Sequence, residues 1–257
     1  MGFLHDHVIA ITGGCGDIGR ATAGRLSAEG ARVVLLDLLS EPEGQKVARA
    51  FGDGAMYFRT DVTDRPAVEH ALNGAVSKHR RLDAVISNAG IVMNQPFLDI
   101  EPDKWAKTLA VNLTGCFHVA QTAARIMVKQ EPQNGIRGRI VFTGSWVQDM
   151  PFPEGTSYIV SKAGVKAMAR NMAQELATKG IRVNVLAPGI VMAGLSKQVY
   201  ETNPEFGPRA TAAIPLGEFG TAEQVAEAFA FLCGPQSSYM TGSVLLVDGG
   251  ASLVKRQ

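Results

Sequence analysis

Residues 8–19 read VIAITGGCGDIG and carry the clearest indication of the fold of this chain. The first five of these residues, Val8–Thr12, form a continuous apolar run, which is typical of a strand buried on both faces of a sheet. A glycine-rich turn follows, and a helical pattern then runs over Gly19–Glu29. Glycines let the backbone turn tightly and let a pyrophosphate approach the free N–H groups at a helix N-terminus. The strand, turn and helix together predict a dinucleotide-binding unit at the start of the chain.

The same alternation of strand and helix patterns continues to the end of the chain. Helical patterns, with apolar residues recurring at three and four, also cover Arg65–His79 and Ala222–Leu232. Further apolar runs of strand length are Arg32–Leu36, Ala55–Arg59, Ala84–Ser87, Arg139–Thr143, Val183–Ala187 and Val244–Val247. This repetition predicts an α/β fold, with a doubly wound parallel sheet in a three-layer α/β/α arrangement and residues 1–257 forming a single domain. The longest irregular part, about 192–220, is expected to be a lid or binding loop.

Composition limits the kinds of partner and environment. The 257 residues carry 25 basic and 24 acidic side chains without a basic run, which disfavours nucleic acid as a partner. No apolar run is long enough to span a bilayer, and the start of the chain lacks the basic region of a signal peptide. The three cysteines form no C-x-x-C pair, so we expect no disulfide and no metal site. These features predict a cytoplasmic protein that acts on small molecules, not on membranes or nucleic acid.

Asp37 lies at the end of the second predicted strand, about 20 residues after the glycine-rich turn. A carboxylate at this place accepts both ribose hydroxyls of NAD and repels the 2′-phosphate of NADP. No Arg or Lys lies in the turn before Gly19, and Leu38 follows Asp37, so no cation there compensates for a phosphate. An ordinary turn residue at a strand end would look the same. Two further strand ends are placed to contact a cofactor, namely Asp61-Val62 and Asn88-Ala89-Gly90.

Tyr158 and Lys162 are one helical turn apart, and Ser145 lies upstream of both. Residues at i and i+4 on a helix point to the same face. A free phenol is a poor base at neutral pH, but an ammonium about 5 Å away, at an effective dielectric of about 20, favours the phenolate by roughly 3 kcal/mol. Ser145 is placed to hold the oxygen of a carbonyl or alcohol beside that phenol. Because this spacing also occurs by chance on amphipathic helices, the catalytic interpretation depends on the rest of the chain.

Taken in order, these residues resemble the short-chain dehydrogenase/reductase family in its short, single-domain form. The resemblance runs from Val8 to about Ala251 and includes the Val-Asp-Gly-Gly ending at 247–250. It implies a seven-stranded Rossmann fold and a catalytic tetrad. The implied roles are Tyr158 as general acid/base, Lys162 as the residue that favours its phenolate and binds the nicotinamide ribose, Ser145 as the residue that orients the substrate oxygen, and Asn112 as the holder of a proton-relaying water.

The cofactor site implied in this way is large. Its positions are Gly13, Cys15, Gly16, Asp17, Ile18, Gly19, Asp37, Leu38, Asp61, Val62, Asn88, Ala89, Gly90, Tyr158, Lys162, Pro188, Gly189, Ile190 and Val191. Two positions depart from the family pattern. Asp17 replaces a usual glycine, and we expect its carboxylate to turn away from the pyrophosphate and cap the following helix. Met192-Ala193 stands where the family often has a threonine that binds the nicotinamide carboxamide, which leaves that contact to the backbone of Ile190 and Val191.

The leading hypothesis is an enzyme that transfers a hydride between NAD and a secondary alcohol or ketone, such as a sugar, polyol or hydroxy acid derivative. A 3-oxoacyl-carrier-protein-type reductase using NADPH is the alternative, which Asp37 disfavours. An enoyl reductase is disfavoured because the similar members space their Tyr and Lys more widely. A nucleotide-sensing or scaffolding protein would be expected to have lost part of the tetrad. Candidate substrate contacts are Met93, Gln95, Trp146, Gln148 and a substrate loop at about 190–218, and the resemblance implies a homotetramer.

Overall fold

The computed structural model describes residues 2–253, and its centre is a seven-stranded sheet. The strands are β1 (Val8–Thr12), β2 (Arg32–Asp37), β3 (Met56–Arg59), β4 (Ala84–Ser87), β5 (Gly138–Thr143), β6 (Ile181–Pro188) and β7 (Val244–Val247). All of them pair in parallel, in the order β3-β2-β1-β4-β5-β6-β7. The predicted doubly wound α/β fold is therefore confirmed. The ends of each predicted apolar run differ from the ends of the observed strand by at most two residues.

Helices connect the strands and cover both faces of the sheet. They are α1 (Asp17–Ala28), α2 (Glu41–Arg49), α3 (Arg65–His79), α4 (Pro102–Leu109), α5 (Cys116–Met127), α6 (Thr156–Leu176), α7 (Gly194–Thr202), α8 (Phe206–Ala212) and α9 (Ala222–Cys233). A π-helical turn at Ala110–Gly115 joins α4 to α5. None of the helices described within residues 2–253 has the length and apolar character needed to cross a membrane.

Two apolar layers hold the fold together, one on each face of the sheet. Successive strand residues point to opposite faces, so Ile9 and Ala10 enter different layers. One layer packs the sheet against α3, α5 and α6, and the other packs it against α1, α2 and α9. The central strands β1, β4 and β5 are buried along their whole length, which explains their continuous apolar sequence.

The strand order reverses at β1, which pairs with β2 on one side and with β4 on the other. Connections leave this point in opposite directions, so a crevice opens beyond the carboxyl ends of the strands. This crevice fixes where a ligand can bind.

The long segment after β6 is more regular than the sequence suggests. We expected residues 192–220 to be irregular, but they contain α7 and α8. Helix α7 ends at Thr202 because Asn203 precedes Pro204, and the residue before a proline is disfavoured in the helical region. Pro208 lies in the first turn of α8, where the missing N–H costs little.

Candidate active site

One cavity of about 1620 Å³ lies beyond the carboxyl ends of the strands. It exceeds the roughly 300–1,000 Å³ of sites for single small ligands, so it has room for a dinucleotide and a second molecule. All the cofactor positions predicted from the sequence line it, together with Ser145, Met93 and Trp146. The structure therefore brings residues from every part of the chain to one place.

The glycine-rich turn forms the floor of the cavity under the start of α1. Gly13 has φ +63°, and a Cβ there would lie 3.0 Å from the Cα of Ala89. A Cβ on Gly19 would lie only 2.2 Å from the carbonyl oxygen of Gly13, so the helix packs directly on the turn. The first intrahelical hydrogen bond runs from the N–H of Arg20 to the oxygen of Gly16 at 2.8 Å. The N–H groups that precede it lack intrahelical partners, which suits the diphosphate of a dinucleotide.

The Asp37 side chain is fixed at the end of β2. Its Oδ2 accepts a hydrogen bond from the N–H of Cys15 at 2.9 Å, and its Oδ1 accepts one from the N–H of Leu38 at 2.7 Å. A carboxylate offers about four acceptor positions, so two remain for the hydroxyls of a ribose. The backbone of the glycine-rich turn thus sets the orientation of the predicted ribose ligand.

Cys15 lies in this turn and is 8% exposed. Burial, with the nearby Asp37 carboxylate, raises the pKa of its thiol to about 11. The thiol is therefore uncharged at neutral pH, and this part of the cavity wall presents little reactivity.

Lys162 is buried on α6, one turn after Tyr158, with 3% exposure. Its Nζ donates a hydrogen bond to the carbonyl oxygen of Thr143 at 2.7 Å and lies 5.5 Å from the centroid of the Tyr158 ring. The bond to β5 fixes the ammonium beside the phenol. Such an arrangement can stabilise a phenolate and pass a proton to or from a ligand oxygen.

Ser145 follows β5 and is 6% exposed at the cavity wall. Its backbone is extended, with φ −165°, and a short helical turn at Trp146–Gln148 begins immediately after it. Its Oγ accepts a long hydrogen bond of 3.5 Å from the N–H of Val147. The hydroxyl hydrogen is free of that bond and can be donated to a substrate oxygen.

Asn112 lies behind the cavity wall, in the π-helical turn, and is fully buried. Its Oδ1 accepts from the N–H of Ile91 at 2.8 Å, and its Nδ2 donates to the oxygen of Ile91 at 2.8 Å and to Ser161 Oγ at 3.2 Å. Such turns are frequent at functional sites. The amide thus fixes the chain after Gly90, and the water-holding role implied by the resemblance stays a prediction.

The nicotinamide contact left to the backbone of Ile190 and Val191 stays a prediction, and the geometry of this segment allows it. Gly220 ties this segment down by accepting from the N–H of Met192 at 2.8 Å and donating to the oxygen of Ile190 at 3.0 Å. Within residues 2–253, no hydrogen-bond acceptor is assigned to the N–H groups of Ile190 and Val191. Both residues line the cavity, so these donors fit the carboxamide of a nicotinamide.

The prediction that Asp17 caps α1 is wrong. Gly16 is the N-cap residue, and no side-chain cap is present. The Asp17 carboxylate instead accepts a hydrogen bond from the N–H of Gly194 at 2.8 Å, at the start of α7. Asp17 is the first residue inside the helix, and its carboxylate at the cavity wall is held by the segment that follows β6.

Two of the four candidate substrate contacts do not reach the cavity. The Gln95 amide is engaged by Asp99 and Glu101, outside the wall. Gln148 is turned into the protein, where its Oε1 is buried without a hydrogen-bond partner near Gly144. Its position as the last residue of the Trp146–Gln148 turn directs it inwards. Trp146 and Met93 do line the cavity.

Sequence reasoning missed several residues of the wall. Arg20 lines the cavity, and its Nε donates to the oxygen of Cys15 at 2.6 Å. The available signal was its position directly after Gly19, in the first turn of α1. Phe152 also lines the cavity, from the segment before α6, and no local pattern marks it. Phe206 and Arg209 of α8 line the cavity too, and both lie within the predicted substrate loop at about 190–218.

Comparisons with known proteins show which family this chain is similar to. A family model described as "Enoyl-(Acyl carrier protein) reductase" matches residues 15–252. The 3-oxoacyl-[acyl-carrier-protein] reductase FabG of Thermotoga maritima is 36% identical over 96% of this chain and 98% of its own. The 2-(S)-hydroxypropyl-CoM dehydrogenase 3 of Xanthobacter autotrophicus is 34% identical over 98% of each. The crystal structure of gox2181 superimposes with a TM-score of 0.90 at 31% identity, covering 98% of this chain and 97% of that one.

Proposed function

Because the chain belongs to the short-chain dehydrogenase/reductase family, a family of oxidoreductases that use a nicotinamide cofactor, we propose that it is an NAD-dependent dehydrogenase. Its reaction transfers a hydride between NAD and a secondary alcohol or ketone. One observation carries the proposal: a single cavity combines the oriented Asp37 carboxylate with Ser145, Tyr158 and the buried Lys162.

The preference for NAD follows from the charge at the end of β2. The Asp37 carboxylate is held by two backbone N–H groups and has acceptor capacity left for two ribose hydroxyls. A 2′-phosphate at the same place would lie against a like charge. At about 4 Å and an effective dielectric of about 20, such a repulsion is about 4 kcal/mol per unit charge.

The acid–base work falls to Tyr158. In oxidation, its phenolate takes the proton of the substrate hydroxyl while Ser145 donates a hydrogen bond to the same oxygen. The Lys162 ammonium, fixed by Thr143, stabilises the phenolate before this step. A bound nicotinamide supplies the hydride acceptor in oxidation and the hydride donor in reduction. In reduction, the Tyr158 phenol returns the proton to the carbonyl oxygen.

The lining of the cavity supports a substrate of mixed polarity. Met93, Trp146 and Phe152 provide apolar surface, whereas Glu154 and Arg209 provide charged groups. This combination favours a sugar, polyol or hydroxy acid derivative that carries both apolar faces and polar groups. The proposed partner is thus a small molecule.

A reductase that takes an acyl-carrier-bound ketone and draws on NADPH is the second candidate. Two observations favour it: the similarity to FabG of Thermotoga maritima, and the presence of Arg20, a cation the sequence reasoning missed, in the cavity wall. The enoyl reduction named by the family model fits less well, since Tyr158 and Lys162 keep the four-residue spacing of the alcohol-oxidising members.

The test is turnover of a panel of secondary alcohols and ketones with each cofactor, followed by absorbance of the reduced nicotinamide. We expect a higher kcat/KM with NAD than with NADP. An equal or higher kcat/KM with NADP, or no turnover with either cofactor, would contradict the proposal. Tyr158→Phe should lower kcat by about 10²–10⁴-fold and leave NADH binding intact. Tyr239→Phe, at a fully exposed phenol, is the matched control and should retain full activity.

A further inference from the structure

The hydrogen bond from Gly194 to Asp17 joins two parts of the site that lie 177 residues apart in sequence. Asp17 begins α1 directly after the glycine-rich turn, and Gly194 begins α7 inside the substrate loop at about 190–218. Both residues line the cavity. The bond therefore connects the predicted cofactor floor to the segment that would cover a substrate.

We propose that Asp17 is a positioning residue that latches the start of α7 to the glycine-rich turn and so holds the substrate loop over the cavity. The inference rests on the proposed function for the identity of the bound molecules. It adds a role for a residue at which this chain departs from the family pattern.

The remaining anchors of the loop lie elsewhere. Gly220 ties down Ile190 and Met192, and the N–H of Leu216 donates to the oxygen of Gly249 at 3.2 Å. These bonds fix the two ends of the loop near β6 and β7. Among the hydrogen bonds of residues 2–253, the bond at Asp17 is the one that joins the loop to the glycine-rich turn.

The backbone of Gly194 suits a latch that can open. Its φ is +51°, a conformation that favours glycine, and no atom lies within 4 Å of the place a Cβ would take. The residue is thus free to turn when its N–H loses its partner. Glycine at the start of a loop helix gives the segment a hinge.

The Asp17 charge has a second, separable consequence. It lies beside the free N–H groups of α1, where the diphosphate of a dinucleotide would bind. Within the described chain, no cation forms an ion pair with it. The carboxylate therefore repels the diphosphate while its oxygen orders the loop, so cofactor affinity and loop order respond differently to substitution.

Two variants separate these effects. Asp17→Asn keeps an acceptor oxygen for Gly194 and removes the charge, whereas Asp17→Ala removes both. We would measure hydrogen exchange of peptides covering residues 190–203 in the free protein, and NADH affinity by fluorescence. Asp53→Ala is the matched control and should change neither quantity, because this exposed carboxylate makes no hydrogen bond or ion pair within residues 2–253.

Asp17→Ala should speed exchange at the start of α7 about tenfold, the effect of losing one charge-assisted hydrogen bond, whereas Asp17→Asn, which keeps a neutral bond about half as strong, should speed it only about threefold. Both variants should bind NADH more tightly than the parent. The substrate KM should rise in Asp17→Ala more than in Asp17→Asn.

Unchanged exchange in a folded Asp17→Ala variant would overturn the latch. Weaker NADH binding in Asp17→Asn would overturn the repulsion and make Asp17 a cofactor ligand. Both readouts are independent of turnover, so a failure to find any alcohol substrate would count against the proposed function and leave the latch to be decided by exchange.

Discussion

At the scale of single residues, Asp37 carries the proposed choice of cofactor. The carboxylate is oriented by Cys15 and Leu38, so its charge faces the place of the adenosine ribose. We expect Asp37→Ala to lower the ratio of kcat/KM for NAD over NADP at least about tenfold, because a repulsion of a few kcal/mol is removed. Arg20→Ala should change the ratio in the opposite direction, since it removes a cation from the same wall. A ratio that does not move in Asp37→Ala would contradict the assignment.

Cys15 provides a pH-dependent probe of the same wall. Its pKa is raised to about 11, so the reactive thiolate is scarcer at any pH below that value than for a free cysteine. Alkylation by iodoacetamide should be slow at pH 7, accelerate as pH rises towards 11, and slow again when NADH fills the cavity. Mass spectrometry of the three cysteines gives the internal control, since Cys116 and Cys233 are 2% and 0% exposed. Rapid labelling of Cys15 at pH 7 would show that the turn is more open than described.

At the scale of elements, the contact between α1 and the glycine-rich turn decides whether the cofactor floor can form. Gly19→Ala would place a Cβ 2.2 Å from the backbone oxygen of Gly13, so either the helix or the turn must move. We expect a loss of stability of about 1–3 kcal/mol, as for overpacking in a core, together with a loss of NADH binding. Denaturant unfolding and fluorescence titration measure the two effects.

Gly24→Ala is the control on the same helix. The nearest atom to its new Cβ is a ring carbon of Phe51 at 3.7 Å, which is an ordinary contact. Replacing glycine by alanine inside a helix should therefore stabilise the protein by about 0.5–1 kcal/mol and leave NADH binding unchanged. Equal effects of the two substitutions would refute the steric argument for Gly19.

At the scale of the whole molecule, the exposed apolar residues favour the proposed homotetramer. Phe117 on α5 and Val160 on α6 are 40% and 41% exposed, and Leu246 on the edge strand β7 is 45% exposed. Proteins generally cover or otherwise protect an open sheet edge, and a partner subunit over β7 would do so. Light scattering during size exclusion should give four times the chain mass of 27.3 kDa at micromolar concentration. Leu246→Lys and Val160→Asp should each reduce this mass to that of a dimer, whereas a monomeric parent protein would exclude the assembly.

The order and type of the helices and strands, and the residues most suited to chemistry, could be predicted from the amino-acid sequence. Buried parallel strands read as continuous apolar runs, and the Tyr158–Lys162 spacing follows from the helical repeat. These are local features, so a single sequence carries them. The glycine-rich turn is local only in part, since Gly19 packs on the oxygen of Gly13 within the turn, whereas Gly13 packs against Ala89 at the end of another strand.

The contacts between residues far apart in the sequence could not be predicted in this way and are known from the three-dimensional structure. It placed β4 beside β1, brought Arg20 and Arg209 into one cavity wall, turned Gln95 and Gln148 away from it, and moved Asp17 from the expected cap to a bond with Gly194. Each of these outcomes depends on how packed elements lie relative to one another. Local periodicity does not predict that arrangement. The packing of the two buried apolar layers, and not the neighbouring residues in sequence, sets which side chains come into contact.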